Sequence, residues 1–516
     1  MVSARRRSDH GLSSRRKMGP GSLVDRVVSL AGSDHNERPR AGGGSGGPGS
    51  VKSVRKRIAV IGGGIAGLAA AVRLRDRLPQ GADITVYEQG GALGGKLRTG
   101  ELGGLPVERG AESFLTSGAD GGESAAVALA RRLGLGDALV HPARQPAALS
   151  IGGRLTPIPA GTLVGVPADL STLDGVALPD ADSDADGGKP LLAPGEDVAV
   201  GTLVRSRYGA EVVDRLVDPM LGGVYAGRAD QLSLRVTMPQ LALAAETEHT
   251  LRDAVRSAQR ASRRVPGQPV FAAVDGGMSR LVAAAAEASG ARISLGLPVH
   301  SVCRTDKGWD LRIGAAPAPL TDHADAVILA VPATPAARLL GEVAPEAAEA
   351  VAALTYASVA LVGLALPAGT ELPGLSGFLV PPGEGTLVKA ATFFTRKWPH
   401  LDRPDGPVIV RASLGRAGEE ERLQLDDAAL LGRAVRELGE LAGVALPEPS
   451  ASWIQRWGGA LPQYAPGHAD RVSAARADLP PGLALAGAAF DGVGIPVCVA
   501  SGERAADEVV TFLEEA

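Results

Sequence analysis

The sequence predicts an α/β fold, and three observations predict it. Arg57-Ile58-Ala59-Val60-Ile61 is a short apolar run that ends in a glycine-rich turn. An Ala-rich stretch of helical composition, 68–78, follows that turn. A second apolar run, Ile84-Thr85-Val86-Tyr87, comes next. Strand, helix and parallel strand require this order. The turn carries G-x-G-x-x-G as Gly62, Gly64 and Gly67, with Gly63, Ile65 and Ala66 between them. In such a turn the first glycine permits the bend and the second lets backbone approach a pyrophosphate. The third lets the helix pack on the strand. The helix N-terminus offers N–H groups and a positive dipole end to phosphates. Glu88, followed by Gln89, closes the second strand about 20 residues further on, where an acid meets ribose hydroxyls. The unit is therefore Rossmann-like and points to a dinucleotide.

The next segments bear on which dinucleotide. Gly94-Gly95-Lys96-Leu97-Arg98 follows almost at once, and Arg109-Gly110-Ala111-Glu112-Ser113-Phe114 comes shortly after. A nicotinamide enzyme would continue with further strand–helix units; this chain makes a second glycine-rich turn carrying a cation. The layout resembles the flavin amine oxidases. That resemblance implies FAD, held at Gly94, Gly95, Lys96, Arg98, Gly110, Ala111, Glu112 and Ser113. It also implies a backbone contact to adenine near Val299. Near the end, Gly487 and Asp491-Gly492-Val493-Gly494-Ile495-Pro496-Val497 set another glycine turn before a helix, with Pro496 suited to the first helical turn. Such a terminus could aim its dipole at a reduced, anionic flavin.

The resulting fold class is a discontinuous, FAD-binding Rossmann-like (GR2-type) domain with a mixed β-sheet substrate domain and a helical insertion. Residues 1–56 read as a disordered extension, with Arg clusters, a Gly/Ser tail and a second candidate start at Met18. The cofactor domain takes 57–117, 266–345 and 481–516. A helical, substrate-entry insertion takes 118–265. It contains a polar loop over 170–197 and helical periodicity over 203–261, interrupted by turns at Asp218-Pro219 and Gly222-Gly223. The substrate-binding domain takes 346–480, with strands expected at 359–366, 377–380, 387–392 and 408–412 and a helix at 426–441.

Composition excludes several classes. A net charge of −4 gives no basic field for nucleic acid. Cys303 and Cys498 are too far apart, and too few, for a disulfide framework or a C-x-x-C redox site. The eight histidines show no metal-binding spacing. No apolar stretch reaches the roughly 20 residues of a membrane span, and no secretory signal is present. A cytoplasmic protein is expected.

Further motifs narrow the family. They are Pro159-Ala160-Gly161-Thr162-Leu163-Val164-Gly165-Val166-Pro167, Asp218-Pro219-Met220-Leu221-Gly222-Gly223-Val224-Tyr225-Ala226-Gly227, and Lys389-Ala390-Ala391-Thr392-Phe393 with Lys397-Trp398. Arg456-Trp457, Leu461-Pro462-Gln463-Tyr464 and Gly467-His468 complete the set. Over roughly 57–513 the chain resembles the porphyrinogen oxidases of haem biosynthesis, most closely the bacterial branch acting on coproporphyrinogen III. The resemblance implies a bound FAD that also meets Trp457, a porphyrinogen substrate, and O₂ as reoxidant with release of H₂O₂. The chemistry is the cofactor's, so no catalytic side chain is assigned. The substrate is apolar inside and carboxylated at its edge, so cations should rim its cavity. Candidates are Arg98, Arg207, Arg228, Lys389, Arg396, Lys397 and Arg456, with Lys389 and Arg456 preferred. Protoporphyrinogen IX oxidation, amine or carotenoid oxidation and a non-catalytic flavin- or haem-binding role are the alternatives. Oligomeric state, peripheral membrane contact through 125–261 and contact with a downstream chelatase stay open.

Overall fold

In a computed structural model of the chain, residues 55–78, 82–118, 121–180, 184–261 and 267–515 are described. The expected disorder of the extension falls almost wholly outside them.

Five strands build one parallel sheet in the order Arg292–Leu295, Ala82–Glu88, Lys56–Ile61, Ala326–Leu329, Leu483–Leu485. Alternate residues of a strand face opposite sides, and both sides here are covered. Ile58, Val60, Ile84, Val86, Ile328 and Ala484 pack under the helices Ile65–Arg77 and Ile495–Glu515. Ala59, Ile61, Val327, Leu329 and Leu485 pack against the antiparallel strands Val299–Thr305, Gly308–Ile313 and Leu320–Ala324 and the helix Ala333–Leu340. Cover on both faces explains why the first strand reads as continuously apolar.

The first helix starts at Ile65, three residues before the sequence pattern places it, so the third glycine of the motif lies inside it. Close approach demands that glycine: a Cβ at Gly67 would stand 2.0 Å from Gly62 O. The same holds where the two helices cross, since a Cβ at Gly502 would stand 2.1 Å from Ala66 O. Arg73 then fixes their relative direction with paired bonds to Asp507 at 3.0 and 3.1 Å. Ala66 is one residue from the start of its helix, while Gly502 is well inside the closing helix.

A seven-stranded mixed sheet forms the second layer. Its order is Ala451–Pro462, Tyr356–Leu366, Val408–Leu414, Val388–Phe393, Gly377–Leu379, Ala147–Ile151, Arg154–Pro157. The four expected strands are present. Ala451–Pro462, Ala147–Ile151 and Arg154–Pro157 were not foreseen. The helix Asp427–Ala442 is capped by Asp426, whose side chain accepts from Ala429 N, and covers one face through Leu430, Ala434, Leu438 and Leu441. On the other face Leu361, Ala365 and Ile409 join the core around the cofactor domain, and Leu149 and Leu379 join the helical region.

That helical region contains Val200–Tyr208, Asp218–Tyr225, Leu234–Thr237, Pro239–Ala245 and Leu251–Ala261. Gly222-Gly223 is not a turn, as expected from sequence, but lies within the helix Asp218–Tyr225. Its glycines admit the sheet: a Cβ at Gly223 would meet Leu379 Cδ2 at 3.1 Å. Asp218-Pro219 is not a turn either: the chain is helical without a break from Ala210–Val212 through the π-helical turn Val213–Val217, and that turn adjoins the proline that cannot donate to the ladder. The acidic loop has a local job. Asp184 accepts from Leu251 N at 2.7 Å and Arg252 N at 3.1 Å, capping that helix. Among the described residues no helix is long and apolar enough to cross a membrane.

Candidate functional site

The first wall of the site is the glycine turn. Gly62 has φ +112°, and a Cβ there would stand 2.3 Å from Ala330 O, so glycine is obligatory. Gly64 is different. Its φ of −74° suits any residue, and a Cβ would find nothing within 4 Å. The backbone at Gly64 therefore borders open space. The first hydrogen bond of the helix is Leu68 N to Gly64 O at 3.0 Å, and the N–H groups before it have no partner within the helix. Glu88 accepts from Gly63 N at 2.9 Å and Gly90 N at 2.6 Å. A carboxylate has about four lone-pair positions, so acceptor capacity remains. Gln89 beside it is exposed. Leu297 N donates to Glu88 O at 3.2 Å, which brings partly buried Val299 to this end of the site.

The second glycine turn abuts the first. Gly94 N donates to Gly63 O at 2.8 Å, and Gly64 bridges Gly94. A Cβ at Gly95 would touch Gly64 Cα at 3.5 Å. Ala111 N donates to Lys96 O at 3.1 Å, and a Cβ at Gly110 would stand 1.9 Å from that oxygen. Burial pushes the Lys96 ammonium below its usual range. Trp457 donates through Nε1 to Arg109 O at 2.7 Å, and the Arg98 guanidinium lies over its ring at 5.9 Å. Ser113 is partly buried just beyond. Motifs from opposite ends of the chain thus meet here.

The third wall is the closing loop. Gly487 (φ +116°) has only Ala66 Cβ near its missing side chain, at 3.9 Å, and donates to Ser501 Oγ at 2.8 Å. Gly494 (φ +113°) leads into the helix, where Ile495 is buried but Val497 is 38% exposed. The Asp491 carboxylate, listed with the cofactor residues from sequence, turns into the protein instead. It binds Ser501 Oγ, Arg476 at 2.7 Å and Arg504 at 3.1 Å. Burial would raise its pKa, but these donors hold it below the usual range. Its role is to fix the loop.

Tyr464 O–H donates to Ala488 O at 2.6 Å and steadies the same loop, and His468 packs edge-on against its ring at 4.7 Å. Both His468 ring nitrogens are buried without a hydrogen-bond partner, and burial pushes its pKa down to about 4. The unfolded chain binds a proton near pH 6.5 that the folded chain refuses. Stability is therefore lost as pH falls through the window from about 6.5 to 4, by up to about 3 kcal/mol. Chemical unfolding between pH 7 and 5 should show this slope, and His468→Phe should flatten it.

Other sequence candidates fare differently. The Glu112 carboxylate is consumed by Lys397 and by Arg411, the latter at 2.5 Å. Its charge is thus balanced within the protein, and so is that of Lys397. Arg456 is a correction. Its side chain binds Asp427 and Leu425 O at the start of the covering helix. Adjacent strand residues point to opposite faces, so Arg456 faces away from the Trp457 side. Arg228 stands 3.7 Å from Asp218, Arg207 donates to Ala185 O, and Arg396 is exposed. Lys389 is buried. Sequence reasoning missed Arg411, which donates to Glu108 O at 3.0 Å and Gly110 O at 2.9 Å. Its signal was a lone cation within the apolar run 408–412, since a buried charge must be paired. Both cysteines are free, and no acid, histidine and cysteine cluster of metal-binding size occurs among the described residues.

The two glycine turns, the Glu88 carboxylate and the loop before the closing helix thus lie side by side, with open space at Gly64. The sequence pattern of the flavin containing amine oxidoreductases matches residues 65–510. The chain belongs to that family. The expected flavin is thereby supported, and open space at Gly64, spare acceptors on Glu88 and the uncovered Val497 all fit one. The chain is 39% identical over 464 residues to the coproporphyrinogen III oxidase of Mycobacterium bovis, covering 88% of this chain and 97% of that protein. It is 30% identical over 480 residues to that of Bacillus subtilis, covering 89% and 99%. The resemblance read from sequence is thus borne out. Among solved structures, a candidate protoporphyrinogen oxidase from Exiguobacterium sp. 255-15 superposes with TM-score 0.75 at 30% identity, covering 89% of this chain and 99% of that one. A putrescine oxidase superposes at 0.65 and 19% identity, which shows the shared fold.

Proposed function

We propose that this chain is an FAD-dependent oxidase that converts coproporphyrinogen III to coproporphyrin III, with O₂ as final acceptor and H₂O₂ as by-product. The observation that carries this reading is the 39% identity spanning 97% of the mycobacterial coproporphyrinogen III oxidase. That span takes in the glycine turns, the sheet face and the closing loop together. Protoporphyrinogen IX is the second reading. It rests on the Exiguobacterium structure and on 26% identity to a chloroplastic protoporphyrinogen oxidase of rice.

In this reading the segments 57–117, 266–345 and 481–516 hold the cofactor, while 118–265 and 346–480 enclose the substrate. Bound FAD supplies a two-electron acceptor for hydride removed from a bridging carbon of the porphyrinogen. The protein's contribution is position. The backbone at Gly64 and the N-terminus of the helix Ile65–Arg77 receive the pyrophosphate, and Glu88 receives ribose hydroxyls. The N-terminus of Ile495–Glu515 lends positive potential at the closing loop. Trp457 and Arg98 close one side. No catalytic base is needed, because pyrrole N–H protons can leave to solvent. The enzyme works in the cytoplasm, and a downstream chelatase takes its product by transient contact.

The test is to give the purified flavoprotein coproporphyrinogen III and protoporphyrinogen IX separately in air, following porphyrin fluorescence and H₂O₂. Faster turnover of the first is expected. The reverse preference supports the second reading, and fluorescence no faster than autoxidation with either substrate rejects both.

A further inference from the structure

Lys389 lies in the strand Val388–Phe393 at 6% exposure, where the sheet meets the helix Asp218–Tyr225. Its Nζ donates to Gly222 O at 3.3 Å. An ammonium carries three N–H donors, so this long bond leaves two for other acceptors. The charges acting on it are those of Arg416 and Arg411, both positive. Arg416 is itself buried and donates to two carbonyls, Thr386 O at 3.1 Å and Val380 O at 3.0 Å. Arg411 spends its charge on Glu112, which Lys397 shares. The acid on the facing helix, Asp218, is engaged by Ala229 N at 2.6 Å and by Arg228 at 3.7 Å. Glu437, on the helix covering the strand, is spent on Leu387 N, Val388 N and Arg433, and no carboxylate of the described residues is among the charges acting on Lys389.

An unbalanced buried cation is costly, and here it lies close to solvent. Gly223 and Val224, next to the carbonyl it holds, are exposed, Val224 by 50%, although the helix around them is packed. Arg411, one of the two cations acting on Lys389, also holds the carbonyls of Glu108 and Gly110 beside the second glycine turn. The buried cation thus lies between the backbone around Gly110 and an exposed stretch of helix.

We infer that Lys389 is the counter-ion for an edge carboxylate of the substrate, and so a specificity-determining residue. This rests on the porphyrinogen reading above. A propionate reaching Lys389 past the exposed Gly223 and Val224 supplies the missing negative charge and accepts the unused N–H groups. A substrate lacking a carboxylate there leaves the ammonium unmatched, which is how polar sites reject analogues. Burial first, and then Arg416 and Arg411, bring the lysine down to about 7. A bound carboxylate favours the charged form, so binding takes up a proton and weakens as pH rises above 7.

The experiment measures binding of coproporphyrin III and of its tetramethyl ester to the flavoprotein, wild type and Lys389→Met, by fluorescence titration. The free acid should bind the variant at least about tenfold more weakly, while the ester binds both proteins alike. The unliganded variant should melt no lower than wild type, because removing an unpaired buried charge is not destabilising. Lys389→Gln, which keeps a donor for Gly222, gives the same comparison should the methionine variant fail to fold. In wild type the acid's affinity should fall from pH 7 to 9, and in either variant it should not. Equal losses for acid and ester would make Lys389 a packing residue, and no loss for either would remove it from the site. If wild type binds no coproporphyrin and oxidises no porphyrinogen, the underlying reading falls with it.

Discussion

Replacing Gly64 by valine is expected to yield a folded protein that no longer holds flavin. The residue has ordinary extended backbone angles, and its missing side chain points where there are no protein atoms within 4 Å. Valine is a poorer helix N-cap than glycine, which costs about 1 kcal/mol. The fold should absorb that. A dinucleotide cannot absorb a branched side chain at the point where backbone must touch pyrophosphate, and affinity should fall by about a hundredfold or more, near 2.8 kcal/mol. Gly62→Ala is the contrast. Positive φ and a clash 2.3 Å from Ala330 O damage the turn itself, so that variant should lose stability together with flavin. The ratio of flavin to protein absorbance after purification, with melting temperature beside it, separates the two. A Gly64→Val protein that retains full flavin would mean that the cofactor runs elsewhere.

Arg411→Met should produce the largest loss of stability, about 3–5 kcal/mol, because it leaves Glu112 with only Lys397 and orphans two carbonyls. Arg411 and Glu112 have side chains only 12% and 10% exposed. The pH dependence has a definite sign. Burial would raise the Glu112 pKa, but Lys397 and Arg411 hold it below the ordinary carboxylate range. Its stabilisation is therefore present above that range and is lost as pH falls through it. The variant should begin to unfold at higher pH than wild type. Arg456→Ala, which removes an exposed pair with Asp427 on the far face, should change stability by less than about 1 kcal/mol. Denaturant titrations at pH 7 check the first and third statements, and acid unfolding followed to below about pH 4 checks the second.

What could be read from the sequence was what local pattern controls. The strand–turn–helix over 57–78 announces itself because glycine positions, apolar runs and the acid at 88 share one register. The strands of the second sheet between 359 and 412 were visible as β-branched runs. Arg154–Pro157 was not, because it is short and ends in proline, although it pairs with its immediate neighbour Ala147–Ile151; nor was the twelve-residue strand Ala451–Pro462, because Gly458-Gly459 and polar residues interrupt it and its partner, Tyr356–Leu366, is distant in sequence. Gly222-Gly223 looked like a turn because glycine usually marks one; here glycine serves close packing on Leu379 and Lys389. At the site, sequence supplied which residues carry charge. It could not show which charges were already spent. Glu112, Lys397 and Arg456 are engaged by partners far away in sequence and Asp491 by Arg476 and Arg504 on the two flanking helices, whereas Lys389 meets no carboxylate of the described residues.

The most direct test of the account removes oxygen. The purified holoprotein, mixed anaerobically with excess coproporphyrinogen III, should lose its visible flavin absorbance in a single fast phase as one two-electron equivalent leaves the substrate, and should recover it, with porphyrin fluorescence then appearing over further turnovers, when air is admitted. Porphyrin formation in air with the flavin unreduced by substrate under anaerobic conditions would contradict it, because the oxidation would then bypass the cofactor on which the reading rests.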